Sequence, residues 1–148
     1  MKTVLVHNLI IVFFCALHVC DVFSSDSIPS DQRNNSVYYE IFGNGLWVGS
    51  LNYERIIPIS PNTGIALRSG LSFYEKFFPL AEINFLFGRE KRYLETGVGY
   101  TRFHEGELIF LRLGYRYSGN KGFLFRAAPI YSVNQKFLWF GISFGYSL

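Results

Sequence analysis

Few residues of this 148-residue chain could carry hydrolytic chemistry. The candidates are His104, its neighbour Glu105, and serines of later segments such as Ser132. A serine nucleophile needs a base, usually a histidine that an acid orients. His104 is the only histidine beyond the N-terminal apolar segment, so any such site would have to use it. A loop histidine beside a glutamate is usually just solvated. We therefore predict no catalytic residues, with hydrolysis through His104 as the alternative.

Metal, thiol and cofactor chemistry are not predicted. The two cysteines, Cys15 and Cys20, both lie in the N-terminal apolar segment. One histidine without a cysteine cannot build a transition-metal site on its own. The formal charge of +3, with no basic run, also gives no reason to expect a nucleic-acid partner.

The N-terminus has the layout of a secretory signal peptide. Lys2 precedes an almost wholly apolar run, residues 4–19, and a small-residue site follows at residues 22–24. The alternative is an anchor helix, but the run is shorter than the ~20 residues that span a bilayer. Lipidation at Cys20 is not expected because Val19 is not small. We predict a signal peptide over 1–24, a flexible lead-in over 25–36 and one barrel domain over 37–148.

The last twelve residues form two rows of side chains at a period of two. One row is large and apolar: Leu138, Phe140, Ile142, Phe144, Tyr146 and Leu148. From Gly141 onward, the other row consists only of glycine and serine. A period of two predicts a β-strand with two unlike faces. Such a strand suits a barrel whose outside meets lipid and whose inside is a narrow lumen.

Turn signals divide the rest of the chain at regular intervals. They lie at residues 43–45, 58–62, 74–79, 88–92, 104–107, 118–121 and 132–135. Seven turns imply eight strands, and an even number places both ends of a membrane barrel on the same side. Pro129 falls inside the seventh strand, where it would remove a ladder donor, so we expect it at a bulge or near the rim. Arg55 falls on the apolar row of strand two, and its long side chain would extend to the membrane–water interface.

The charged residues of the strands are not scattered. Eight of them fall on the face opposite the apolar row: Glu40, Glu54, Arg68, Glu82, Glu95, Arg112, Arg116 and Arg126. Eight strands leave room only for side chains, and buried charges must be paired. We predict a Glu–Arg network that plugs the lumen, with glycines of the same face making room for the arginines. A small polar pore is the alternative.

Several segments resemble a known group of proteins. They are residues 50–55 after 43–45, residues 94–99, residues 114–117 and residues 141–148. Together they resemble the small outer-membrane β-barrel proteins of Bacteroidetes-type bacteria, over residues 37–148. The resemblance implies an outer-membrane location and a C-terminal strand that the barrel-assembly machinery recognises. Members usually end on an aromatic residue, and Leu148 departs from that pattern.

These observations predict an eight-stranded antiparallel up-and-down transmembrane β-barrel in a bacterial outer membrane. It would be a monomer in contact with outer-membrane lipid, with a structural or surface-interaction role and no cofactor. One alternative is an outer-membrane lipid-modifying hydrolase similar to a lipid A deacylase. A second is a soluble ligand-binding barrel with its apolar rows inside and its charges outside.

Overall fold

The computed structural model describes residues 33–43, 48–74, 76–103 and 106–148. The predicted signal peptide and residues 25–32 of the lead-in therefore lie outside the described residues. The described chain is all-β. Its eight strands are β1 Asn35–Ile41, β2 Ser50–Ser60, β3 Thr63–Tyr74, β4 Lys76–Arg89, β5 Arg92–Phe103, β6 Gly106–Ser118, β7 Phe123–Ser132 and β8 Leu138–Ser147.

The strands close into a barrel in which each pairs antiparallel with the next. β1 closes the ring against β8 with Ser36 opposite Ser147 and Ile41 opposite Ile142. This confirms the predicted all-β class, the strand number and the antiparallel order. Within the described residues, no helix is long and apolar enough to cross a membrane.

The barrel has two ends, which we name by what they carry. The terminus end holds Arg33, Leu148 and the turns after β2, β4 and β6. The loop end holds the connections after β1, β3, β5 and β7. Leu148 remains attached at the terminus end, where its backbone N–H donates to the carbonyl of Asn35 at 2.7 Å.

The alternation of the sequence sets which side chains point inward. Along β2, every second residue from Ser50 to Ile56 is buried, and the residues between them are exposed. The buried row is largely polar or charged, and the exposed row is largely apolar. For example, Leu111 is 45% exposed, whereas its neighbour Arg112 is 2% exposed. The barrel therefore has the opposite polarity to a soluble globular domain, which buries its apolar row.

Some predicted boundaries are wrong. β1 begins at Asn35, two residues before the predicted barrel start. Pro79 was assigned to the third turn, yet it lies within β4 opposite Leu71, because β3 ends at Tyr74 and β4 already begins at Lys76. Pro58 also lies within a strand, next to a register shift between Pro58 and Ser60. Prolines are tolerated at such irregular or unpaired strand positions.

Pro129 does not lie at a bulge. The register between β6 and β7 is the same on both sides of it, with Tyr115 opposite Ala127 and Arg112 opposite Ile130. On its other side Pro129 pairs regularly with Phe140 of β8. Pro129 has no backbone N–H to donate, and the β6–β7 ladder is interrupted at this position.

Candidate functional site

All eight charged residues predicted for the inner face are buried inside the barrel. Each is at most 3% exposed. They divide into two layers. Arg112 and Arg116 lie on the same strand, and Arg116 is nearer to the β6–β7 turn, so its layer lies toward the terminus end. Similarly, Glu54 lies opposite Ser36 in the β1–β2 ladder, near the start of β1, whereas Glu40 lies near the end of β1.

The layer nearer the loop end is a closed ring of four ions, which we call the ion ring. Arg68 contacts Glu40 and Glu82, both at 2.7 Å. Arg112 contacts Glu40 at 2.8 Å and Glu82 at 2.6 Å. Each member therefore touches two members of opposite charge. Such geometry offsets the desolvation that burial imposes on every charge.

The layer nearer the terminus end is an open chain, which we call the ion chain. Arg116 pairs with Glu54, and Arg126 pairs with Glu95. A longer contact of 3.7 Å from Arg126 to Glu54 joins the two pairs. Arg126 binds Glu95 with two of its nitrogens, the bidentate geometry that favours arginine over lysine.

Tyr38 lies between the two layers. Its hydroxyl donates to Glu54 at 3.3 Å and accepts a hydrogen bond from Arg126. Its ring lies 5.2 Å from the guanidinium carbon of Arg68 and 4.8 Å from that of Arg126. One aromatic residue thus contacts an arginine of each layer, which is a favourable cation–π arrangement in a desolvated site. The sequence analysis did not single out Tyr38, although an aromatic residue on a polar row was the available signal.

Apolar clusters lie above and below the charged layers. At the loop end, Leu108, Phe110 and Ile130 pack with Phe103 and Trp139. The indole N–H of Trp139 donates to the carbonyl of Gly43 at 3.0 Å and so attaches the first loop to this cluster. At the terminus end, Ile56, Ala66, Leu86 and Tyr93 form the second cluster, beside a small pocket. The lumen is therefore filled along its length by side chains.

The inner-face glycines make room for other groups than the expected arginines. A side chain at Gly99 would meet the ring of Phe110, and one at Gly145 would meet Tyr38. One at Gly43 would meet the carboxylate of Glu40. Among the inner-face glycines of the described strands, no arginine side chain is the nearest neighbour. Asparagine side chains are the nearest groups at two further positions, Asn52 at Gly70 and Asn84 at Gly97.

Asparagines extend the polar interior, and the sequence analysis did not predict a role for them. The side-chain oxygen of Asn52 accepts a hydrogen bond from Nε of Arg68 at 3.0 Å. Asn84 is fully buried two residues from Glu82 on β4, opposite Gly97. Asparagine on an inward row is the signal that could have identified both.

The candidate residues for hydrolysis are not brought together in the described part of the chain. His104 and Glu105 lie outside the described residues. Ser132 is fully buried, and its hydroxyl donates to the side chain of Asn134 at 3.1 Å and accepts from the backbone N–H of Gln135 at 3.0 Å. Its hydroxyl is therefore engaged in a local turn. Among the described residues, no group of histidine, cysteine, aspartate and glutamate could hold a metal ion.

The apolar row of β8 faces outward. Phe140, Phe144, Tyr146 and Leu148 are between 47% and 60% exposed, and Ile142 is half-buried on the same face. Phe144 packs against Phe125 of β7 with ring centroids 5.4 Å apart. The row predicted as an assembly signal is therefore accessible from outside the barrel.

Comparisons with protein-family models, with curated proteins and with solved structures find no match to this chain.

Proposed function

We propose that this chain is an integral β-barrel protein of a bacterial outer membrane, acting as a structural or surface-interaction protein. The observation that carries the proposal is the polarity of the closed barrel, with charges inside and large apolar side chains outside. Large apolar patches on a water-facing surface are rare in soluble monomers. In a bilayer, the same outward rows would contact apolar acyl chains, so their exposure carries no hydration cost. Closure of the barrel also leaves no unpaired strand edge.

The outward side chains that support this proposal occur on every strand. Examples are Leu51, Leu67, Ile83, Val98 and Leu111, each between 41% and 48% exposed. Exposed tyrosines such as Tyr131 and Tyr146 lie one residue from strand ends, as in the aromatic girdles of membrane barrels. The outward row of β8 would be the element that the barrel-assembly machinery recognises.

The filled lumen supports a structural role in preference to conduction. Both charged layers are nearly dehydrated, and apolar clusters lie on either side of them. Barrels that conduct have many more strands and leave a water-filled channel. The lipid-modifying hydrolase gains no support from Ser132, whose hydroxyl already has two partners in its own turn.

Cell fractionation combined with a heat-modifiability gel tests this proposal. We expect the mature protein to sediment with outer membranes and to require detergent for extraction. Because a closed barrel stays compact in detergent until it is boiled, heated and unheated samples should migrate differently. Recovery as a soluble periplasmic monomer would overturn the proposal and favour the soluble barrel. If the protein is instead a lipid-modifying hydrolase, cells that express it should contain lipid A of altered mass, and His104→Ala should restore the original mass.

A further inference from the structure

The two ends of the barrel differ in exposed charge. Among the described residues, six basic side chains surround the terminus end, and we call them the basic rim: Arg33, Arg55, Arg89, Lys91, Arg92 and Lys121. Glu90 is the one acidic side chain described there. At the loop end, the described charged side chains outside the lumen are Arg102, Lys136 and Glu107. The described side chains of the terminus end are therefore strongly cationic, and those of the loop end are close to balanced.

The pairing of charges across strands also differs between the ends. At the terminus end, Arg89 lies directly opposite Arg92 in the β4–β5 ladder. Like charges in that position repel and destabilise a sheet. At the loop end, Arg102 lies directly opposite Glu107, which is the favourable combination. Across these ladders, the terminus end therefore places two cations side by side, and the loop end places a cation beside an anion.

The basic rim continues the apolar outer wall. Arg89 follows Phe85 and Phe87 on the outward row of β4, and Arg92 begins the outward row of β5. Arg33 donates to the hydroxyl of Tyr146 at 2.9 Å, and its guanidinium carbon lies 5.3 Å from the centre of that ring. Arginine and lysine stems can lie along an apolar wall while their charged groups reach the headgroup level.

We propose that the basic rim binds the headgroups of anionic phospholipids in the leaflet at the terminus end. This inference rests on the proposed membrane function. Phospholipid fits better than a soluble polyanion because the cations extend the same outward rows that would contact acyl chains. They are also spread around the barrel, before β1, on β2, and at the β4–β5 and β6–β7 turns, and do not form one flat face. A ring of separate headgroups matches that distribution.

Spin-labelled lipids measure this preference directly. The full-length mature protein is incorporated into phosphatidylcholine vesicles, and the fraction of motionally restricted spin-labelled phosphatidylglycerol is compared with that of spin-labelled phosphatidylcholine. A basic residue near an anionic surface contributes a factor of about five in binding. We expect a relative association constant between about two and about five at low salt, falling toward one at high salt.

Two double variants separate the ends while removing the same charge. Arg89→Gln with Arg92→Gln should lower the preference for phosphatidylglycerol, and Arg102→Gln with Lys136→Gln should leave it as in the wild type. Urea unfolding of both double variants in phosphatidylcholine vesicles, which carry no anionic headgroup, shows whether either variant has lost stability. That measurement separates lost lipid binding from lost folding.

Flotation of the vesicles distinguishes failure of this inference from failure of the proposed function. A chain that stays out of the vesicles overturns both. A chain that inserts with no preference for phosphatidylglycerol overturns the basic rim alone and favours a soluble anionic partner. Equal losses of preference in the two double variants would show a general effect of net charge and would also overturn it.

Discussion

The ion ring and the ion chain each contain two glutamates and two arginines, but the ion pairs within them are connected differently. In the ion ring, each member contacts two members of opposite charge. In the ion chain, Arg116 and Glu95 are end members, each with one partner of opposite charge among the described residues. Removing a ring member therefore leaves two ions short of a partner, whereas removing an end member leaves one.

Because the two layers have the same composition, any difference in their stability would come from how their ion pairs are connected. Both layers are equally dehydrated, so the desolvation cost of each ion is similar in the two. What differs is how the attraction that offsets this cost is distributed. The ion ring should respond to single substitutions as a unit, and the ion chain should respond pair by pair. Four substitutions, ordered from the largest expected effect to the smallest, test this view and the assignment of the inner and outer faces.

Arg112→Leu should have the largest effect. It leaves Glu40 and Glu82 facing each other with Arg68 as their shared cation. Breaking a buried pair by removing one partner costs about 3–5 kcal/mol. Urea unfolding of the protein in lipid vesicles measures the loss. A cost no greater than that of Arg116→Leu, which removes an end member of the ion chain, would contradict the distinction between the two layers.

Glu95→Gln should have a smaller effect, and Glu82→Gln is its matched control. Glu95 contacts Arg126, which retains Glu54 and Tyr38 when Glu95 is neutralised. We expect a loss of about 1–3 kcal/mol, the usual cost of leaving a charged group partly unsatisfied. Glu82→Gln makes the same chemical change in the ion ring but weakens contacts with two arginines. Equal losses for the two variants would show that connectivity does not matter.

Tyr38→Phe should cost less again. The variant keeps the ring that faces Arg68 and Arg126 and removes only the hydroxyl between Glu54 and Arg126. A hydrogen bond typically contributes about 1 kcal/mol of net stability. A double-mutant cycle with Glu95→Gln should show coupling, because both changes act on Arg126. Strict additivity would indicate that Tyr38 does not belong to the ion chain.

The sequence determined the faces of these residues much better than their partners. Strict alternation placed all eight charges on one side, because a strand that is paired on both edges has only two faces. Which arginine meets which glutamate depends on strand tilt and register around the closed barrel. Arg112 on β6 reaches Glu40 on β1 and Glu82 on β4, and no local pattern encodes that choice.

The errors in the strand boundaries have a local cause. Pro58 and Pro79 were interpreted as turn residues because proline usually interrupts a ladder. In the barrel, both are exposed within strands that extend beyond them. β3 ends at Tyr74 and β4 begins at Lys76, and residues 74–76 contain no glycine or proline that would have placed this boundary more narrowly. Tyr38 was missed for a different reason, because its role depends on arginines from distant strands.

Leu111→Ala should have the smallest effect, and it tests which side of the barrel faces lipid. Leu111 precedes Arg112 on β6, is 45% exposed and points away from both charged layers. In a bilayer the surrounding chains are as apolar as the leucine, so truncation replaces one apolar contact with another. We expect a change within about 0.5 kcal/mol, as for surface positions generally. In a soluble barrel with an apolar core, the same truncation would create a cavity and cost about 2–5 kcal/mol. Urea unfolding beside Arg112→Leu, in the same vesicles, separates these outcomes. A loss at Leu111 as large as that at Arg112 would mean that the inner and outer faces are assigned the wrong way round.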